Sequence, residues 1–332
     1  MIIELKSTIT AENAENLAIE SKAFHIKYND KRYLIAGSGV KEVPANLIDF
    51  AHNHWVFSND LQLASSKFLP TKREVKIGNV TIGGDTKNTV IIGGPCSVES
   101  EEQIVTSAKF IKSLGLNLLR GGCYKPRTSP YSFQGLGLDG LKLLAKMRDD
   151  YGLTVITEAR DATHIQEIIE YSDVIQVGAK AMYDQGILRA CAKTQKPVLI
   201  KRGFGTTLQE FVQAAEFVLA GGNPNVILCE RGIRTFETGT RFTLDLCGVA
   251  WLKEHTNLPI ILDPSHAMGY AYGVADLARA CVAMGIDGLL IEAHPDPSVA
   301  KSDASQQLNH DQFETLISSL KPVASSVGYN II

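Results

Sequence analysis

Eight short apolar runs recur after residue 88, each closed by glycine, proline or a charged residue and separated by helix-length amphipathic stretches: VIIGGPC, LNLLRGG, LTVITEA, DVIQVGA, PVLIKRG, VILCERG, PIILDPSH and GLLIEAHP. Strands apolar on both faces belong to parallel sheets covered on both sides, and eight strand–helix units in about 240 residues predict a closed (β/α)8 barrel of the TIM type. An open doubly wound sheet is the alternative. It is disfavoured because no glycine-rich dinucleotide loop follows the first run.

Upstream the pattern changes. IIEL, FHIKY, RYLIAG and WVFS read as strands, and AENAENLAIESK and PANLIDFAHNH as helices. The order βαββαβ predicts a small α+β, ferredoxin-like domain over residues 1–69, with an irregular extension as the alternative. The polar SKFLPTKREV then leads into VKIGNVTIGG, where alternation around Gly-Asn predicts a hairpin. A linker and hairpin over 70–87 would thus precede a barrel over 88–332.

In such a barrel the carboxyl ends of the strands share one face, where active sites of this architecture are built. The runs end in Cys96, Arg120, Glu158, Lys201, Glu230 with Arg231, His266 and Glu292. Composition limits what that face can serve. At 332 residues and 45% hydrophobic the chain can bury a large core, but its net charge of −3 offers no general field for nucleic acid or an anionic membrane. Anions must be gripped by a local cluster. Six cysteines without paired spacing, no apolar stretch of about 18 residues and no leader-like amino terminus lead us to expect a cytoplasmic protein without disulfides.

Two clusters emerge from the strand ends. Cys96, His266 and Glu292 close the first, seventh and eighth strands, which are neighbours in a closed ring, and Asp303 follows the eighth. Thiolate, imidazole and two carboxylates suit one divalent first-row ion (Mn, Fe, Co or Zn), whereas magnesium and calcium avoid thiolate. The segment Arg120-Gly-Gly-Cys-Tyr-Lys125-Pro126-Arg127-Thr128-Ser129-Pro130 sets three cations beside hydroxyls on a stiffened loop, and Lys201, Arg202, Arg231 and Arg234 add charge to the same face. Arginine grips phosphate bidentately and lysine supplies a point charge, so phosphorylated substrates fit.

Together GGPCSVES, LRGGCYKPRTSPYSFQGLG, ITEARD, PVLIKRG, ILCERGIRTFE, ILDPSH and EAHPDP with SDASQQL resemble the 3-deoxy-D-arabino-heptulosonate-7-phosphate (DAHP) synthases, in the class shared with 3-deoxy-manno-octulosonate-8-phosphate synthases. The resemblance implies condensation of phosphoenolpyruvate with erythrose 4-phosphate, the first step of the shikimate pathway, and KPRTSP favours the heptulosonate branch. It implies metal ligation by Cys96, His266, Glu292 and Asp303. Phosphoenolpyruvate would be held by Arg120, Lys125, Lys201 and Arg231 with Ala179 and Lys180. Erythrose 4-phosphate would be held by Pro126, Arg127, Thr128, Ser129 and Asp303. Two departures stand out: Lys180 replaces an arginine, keeping charge but losing the planar fork, and Ala267-Met268-Gly269 replaces a Gly-Arg-Arg run.

Lys125, crowded by Arg120 and Arg127, is expected to have a lowered pKa and to serve as an acid or as a fixed charge. Glu158 is the candidate for positioning water, and His266 joins it and Lys125 as the catalytic set. The resemblance further implies a homotetramer and an aromatic amino acid effector on the small domain. The rival readings are an octulosonate synthase and a non-catalytic phosphoenolpyruvate-binding regulator.

Overall fold

The computed structural model describes residues 1–125 and 129–332. Its amino-terminal part is a four-stranded antiparallel sheet of β1 (Ile2–Leu5), β2 (Phe24–Tyr28), β3 (Lys31–Ile35) and β4 (Ala51–Trp55), in the order β2-β3-β1-β4. The helix Ala11–Glu20 joins β1 to β2, its first turn capped by the Thr10 hydroxyl accepting from the Asn13 N–H. Alternation explains why β1 is buried throughout. Ile3, Leu5 and Leu34 pack beneath Ala14, Leu17 and Ala18 of that helix. Ile2, Ile26, Tyr33 and Ile35 face the other way and join the barrel's hydrophobic cluster through Phe57, Leu61, Leu63 and Phe68.

One expected element is absent. PANLIDFAHNH forms only a single 3-10 turn at Ala45–Leu47, and the fourth strand falls on Ala51–Trp55 rather than on WVFS. His52, Asn53 and His54 are poor helix formers, and here Ile2, Ile3 and Glu4 of β1 pair with Trp55, His54 and Asn53. The open edge of β1 outweighs a weak local preference.

The hairpin forms as the Gly-Asn turn indicates, with β5 (Glu74–Ile77) and β6 (Val80–Gly83). Gly78 has φ +59°, and a Cβ there would lie 2.5 Å from the Thr154 hydroxyl oxygen. Both the turn and the close approach require glycine. Val75, Ile77, Val80 and Ile82 pack on Val90, Ile92, Leu118, Leu199 and Ile227 inside the barrel, closing its amino-terminal end.

All eight apolar runs become parallel strands: β7 (Asn88–Gly94), β8 (Leu118–Arg120), β9 (Thr154–Ala159), β10 (Val174–Val177), β11 (Val198–Lys201), β12 (Val226–Glu230), β13 (Ile260–Leu262) and β14 (Gly288–Glu292). Pairing of β14 with β7, with Leu290 opposite Ile92, closes the ring. A short β15 (Asn330–Ile331) adds to β7 beside its start. Among the described residues no helix is long and apolar enough to cross a membrane.

A polar junction ties the small sheet to the barrel. Glu216, on helix Leu208–Ala220, accepts the backbone N–H groups of Gln62 (2.6 Å), Leu63 (3.2 Å) and Ala64 (2.8 Å). Buried Arg73 donates to Asn257 Oδ1 (2.9 Å) and the Leu63 carbonyl (3.0 Å) while its guanidinium lies 4.5 Å from the centre of the Tyr28 ring.

Candidate active site

At the carboxyl end of the barrel a cleft of about 350 Å³ is lined by Lys125, Glu158, Lys201, Arg231, His266 and Asp303, with Ala179, Lys180 and aromatic residues around them. Strand ends deliver most of these groups, and short capped elements aim the rest. His266 sits not on β13 but in the helix Pro264–Met268, where Asp263 caps the His266 N–H at 2.9 Å. Pro264 at the first position presets that turn. Asp303 has left-handed backbone, φ +49°. Its loop is pinned by the Ser302 carbonyl accepting from Gln307 at 2.8 Å and by the Lys301 N–H donating to Glu99 at 2.9 Å.

The four candidate metal ligands meet. Donor atoms of Cys96, Glu292 and Asp303 lie within 4.8 Å of one another. His266 Nε2 is 3.4 Å from Glu292 Oε1 and 3.8 Å from Asp303 Oδ2. Cys96 Sγ is 3.5 Å from Asp303 Oδ2 and 3.0 Å from Ser302 Oγ. Burial, with Glu292 adding to it, pushes the Cys96 thiol up to about 12 against the opposing pull of Lys125. A cation bound among these donors would reverse that order, as metals do for coordinated thiols. One soft donor, one imidazole and two carboxylates therefore fit a first-row divalent ion.

The cations converge on the same cluster. Arg120 donates to Glu292 Oε1 at 2.7 Å and to the Pro95 carbonyl at 2.8 Å. Lys125 Nζ donates to the Cys96 carbonyl at 2.9 Å and lies 3.2 Å from its sulfur. Lys201 Nζ is 2.5 Å from Asp263 Oδ2 and 3.3 Å from His266 Nδ1. Glu292 is held below its usual range despite burial, because His266 and Arg120 face it.

Lys125 departs from expectation. Burial does press its pKa down, but Cys96, Glu158 and Glu292 outweigh burial and Arg120, so the net shift is upward. It stays a firm ammonium rather than becoming a readily released proton. The other candidates divide. Ala179 and Lys180 line the cleft in a 3-10 turn, with Lys180 exposed. Glu158 accepts from Gln176 Nε2 at 2.7 Å. The Ser129 hydroxyl accepts from the Tyr131 N–H at 3.3 Å. Pro126, Arg127 and Thr128 lie outside the described residues.

Several participants escaped the sequence reading. Asp263 bridges Lys201 and, at 2.7 Å, His266 Nδ1, which leaves Nε2 toward the carboxylates. Burial notwithstanding, His266 and Lys201 hold its carboxyl well below the usual range. Gln306 donates to Glu292 Oε2 at 2.6 Å and accepts from Arg241 at 2.8 Å. The Asp-Pro pair before a helix was the available signal for Asp263 as a cap. Gln306 lies in the recognisable SDASQQL segment without any local cue to its role.

Fold and cleft define a (β/α)8 barrel whose carboxyl-end face brings thiol, imidazole and carboxylate groups together beside an array of cations. Residues 61–327 match the model of the DAHP synthetase I family, and the chain belongs to that family, a family of transferase-type enzymes. It is 38% identical over 345 aligned residues to the phospho-2-dehydro-3-deoxyheptonate aldolase of Thermotoga maritima, covering 100% of both chains. It is 32% identical to the 2-dehydro-3-deoxyphosphooctonate aldolase of Magnetococcus marinus, over 76% of this chain and 92% of that one. A crystal structure of the Thermotoga maritima DAHP synthase superimposes with TM-score 0.80 at 36% identity, covering 100% of this chain and 98% of that one. A truncated form of the Thermotoga maritima synthase gives 0.76 at 40% identity, over 81% of this chain and 98% of its own.

Proposed function

We propose that this enzyme condenses phosphoenolpyruvate with erythrose 4-phosphate, giving 3-deoxy-D-arabino-heptulosonate 7-phosphate and phosphate at the entrance to aromatic biosynthesis. The observation that supports this most is the convergence of Cys96, His266, Glu292 and Asp303 on a cleft also lined by Lys125, Lys201 and Arg231.

C3 of phosphoenolpyruvate bonds to the aldehyde carbon, water adds its oxygen at C2, and phosphate leaves. Arg120, Lys125, Lys201 and Arg231, with Lys180 and the backbone at Ala179, hold the phosphate and carboxylate of phosphoenolpyruvate. Pro126, Arg127, Thr128, Ser129 and Asp303 are assigned to the second substrate. A divalent ion held by the four ligands would supply Lewis acidity toward an aldehyde oxygen. Asp263 keeps His266 in one tautomer and orientation. Lys125, firmly protonated, acts as a fixed positive charge where oxygen becomes anionic. Glu158, oriented by Gln176, positions the water. The small antiparallel sheet is proposed as a ferredoxin-like regulatory module for an aromatic amino acid, in a cytoplasmic homotetramer.

The test is phosphate release from phosphoenolpyruvate with erythrose 4-phosphate and, separately, arabinose 5-phosphate, before and after treatment with a chelator. We expect release with the four-carbon aldehyde, lost on chelation and restored by a first-row divalent salt. Preference for the five-carbon sugar would move the enzyme to the octulosonate branch, and release with neither would overturn the proposal.

A further inference from the structure

Buried guanidinium groups in the barrel are held in two different ways. Arg202 is fixed by carboxylates, Glu230 at 2.9 Å and Asp245 at 2.8 Å, and Arg120 by Glu292. Such pairing fixes the side chain but consumes donors and cancels charge. Arg231 is only 4% exposed; like those of Arg120 and Arg202 its Nε has no hydrogen-bond partner among the described residues, but its NH1 meets the Gly232 carbonyl at 3.5 Å rather than a carboxylate. What holds it is a ring: its guanidinium carbon lies 4.2 Å from the centre of Phe242.

Phe242 is itself well fixed. Its N–H donates to the Ala267 carbonyl at 2.9 Å, one residue beyond His266. Its ring stacks on Phe204 at 5.4 Å and 28°, and Phe204 in turn lies 4.7 Å below the guanidinium of Arg234. Gly232, with φ +99°, makes room, because a Cβ there would sit 2.7 Å from Phe242 Cβ. Arg241, which approaches Asp303 at 3.4 Å, lies 5.9 Å from the same ring.

We infer that Phe242 is a positioning residue: its ring face holds Arg231 in the cleft without neutralising it, so that the guanidinium's donors stay available to an anionic substrate. An aromatic face attracts a cation through its quadrupole but accepts no N–H in the guanidinium plane. It also keeps water from that side. The receptor is thus ordered before substrate arrives, and its ordering cost does not fall on binding. A carboxylate in the same place would compete with the ligand.

The inference rests on phosphoenolpyruvate being the anion at Arg231, so binding and turnover are measured separately on the full chain. Calorimetric titration with phosphoenolpyruvate is expected to give about tenfold weaker binding for Phe242→Leu, the size of a desolvated cation–π contact. KM for phosphoenolpyruvate should rise in step, while kcat and KM for the aldehyde stay within about twofold and Phe242→Tyr restores the wild-type value. A general structural role would instead lower thermal stability, move both KM values and leave Tyr no better than Leu. Equal binding by wild type and Phe242→Leu overturns the clamp even if condensation is confirmed. Wild-type binding without turnover overturns the proposed reaction while the Leu comparison still decides the clamp. No binding to wild type overturns both.

Discussion

The cleft and the junction between the small sheet and the barrel both bury charge, and they treat it in opposite ways. At the junction Glu216 receives three backbone N–H groups, and Arg73 is shared among Asn257, the Leu63 carbonyl and Tyr28. In the cleft the Nε atoms of Arg120 and Arg231 have no hydrogen-bond partner among the described residues. Buried polar groups are normally satisfied because an unmade hydrogen bond costs about 1–3 kcal/mol. The junction is complete in itself. The cleft leaves guanidinium donors open, as the proposed site for an anionic substrate requires.

The largest expected effect follows from that contrast. Arg231→Met removes a buried cation held by a ring rather than by an acid, so thermal stability should hold or rise. Activity should fall by about 10²–10³-fold in kcat/KM, the usual consequence of losing one preorganised donor to a developing or bound anion. Steady-state kinetics beside a melting curve makes the comparison. A steep drop in Tm with modest kinetic loss would show that Arg231 supports the fold and that the two regions are not opposites.

How much of this was legible depended on where the information lay. The barrel strands could be read because each is buried on both faces, so the apolar runs themselves mark them, as in VILCE of β12. Cys96, Glu292 and His266 could be read because reactive residues end such runs. The second helix of the small domain could not, because the edge of β1 decides what Ala51–Trp55 becomes. Lys125 shows the same limit in chemistry. Its sequence neighbours are cations, but Cys96, Glu158 and Glu292 arrive from other strands and reverse the direction of its shift. Gln306 and Phe242 take their roles from Glu292 and Arg231 on other elements, and Asp263 has a local partner in His266 but takes the rest of its role from distant Lys201.

At the junction the expected order of effects inverts. Glu216→Ala strands the N–H groups of Gln62, Leu63 and Ala64, which should lower stability by about 1–3 kcal/mol. Glu216 and its partners are not among the residues that line the cleft, so kcat/KM per folded molecule should stay within about twofold. Denaturant titration and kinetics on the same preparation measure both. A large loss of turnover at full stability would mean that the junction transmits to the active site, which would bring the small sheet into regulation directly.

The smallest effect concerns pH. Burial pushes the Glu216 carboxyl up from an ordinary 4.5 to about 7, although three backbone N–H groups and Arg73 oppose it. The folded state therefore holds this proton more tightly than the unfolded chain. The associated stability is fully present below about pH 4.5 and is lost as pH rises through about 7, where both states are ionised. Glu216→Gln has nothing to titrate, so every other group cancels when its Tm is subtracted from that of the wild type. The difference should favour the wild type most near pH 4.5, decline toward pH 7 and level off above it. A difference flat across that window would mean that the N–H groups hold the carboxylate ionised throughout, making the junction a fixed charge cradle rather than a protonated link.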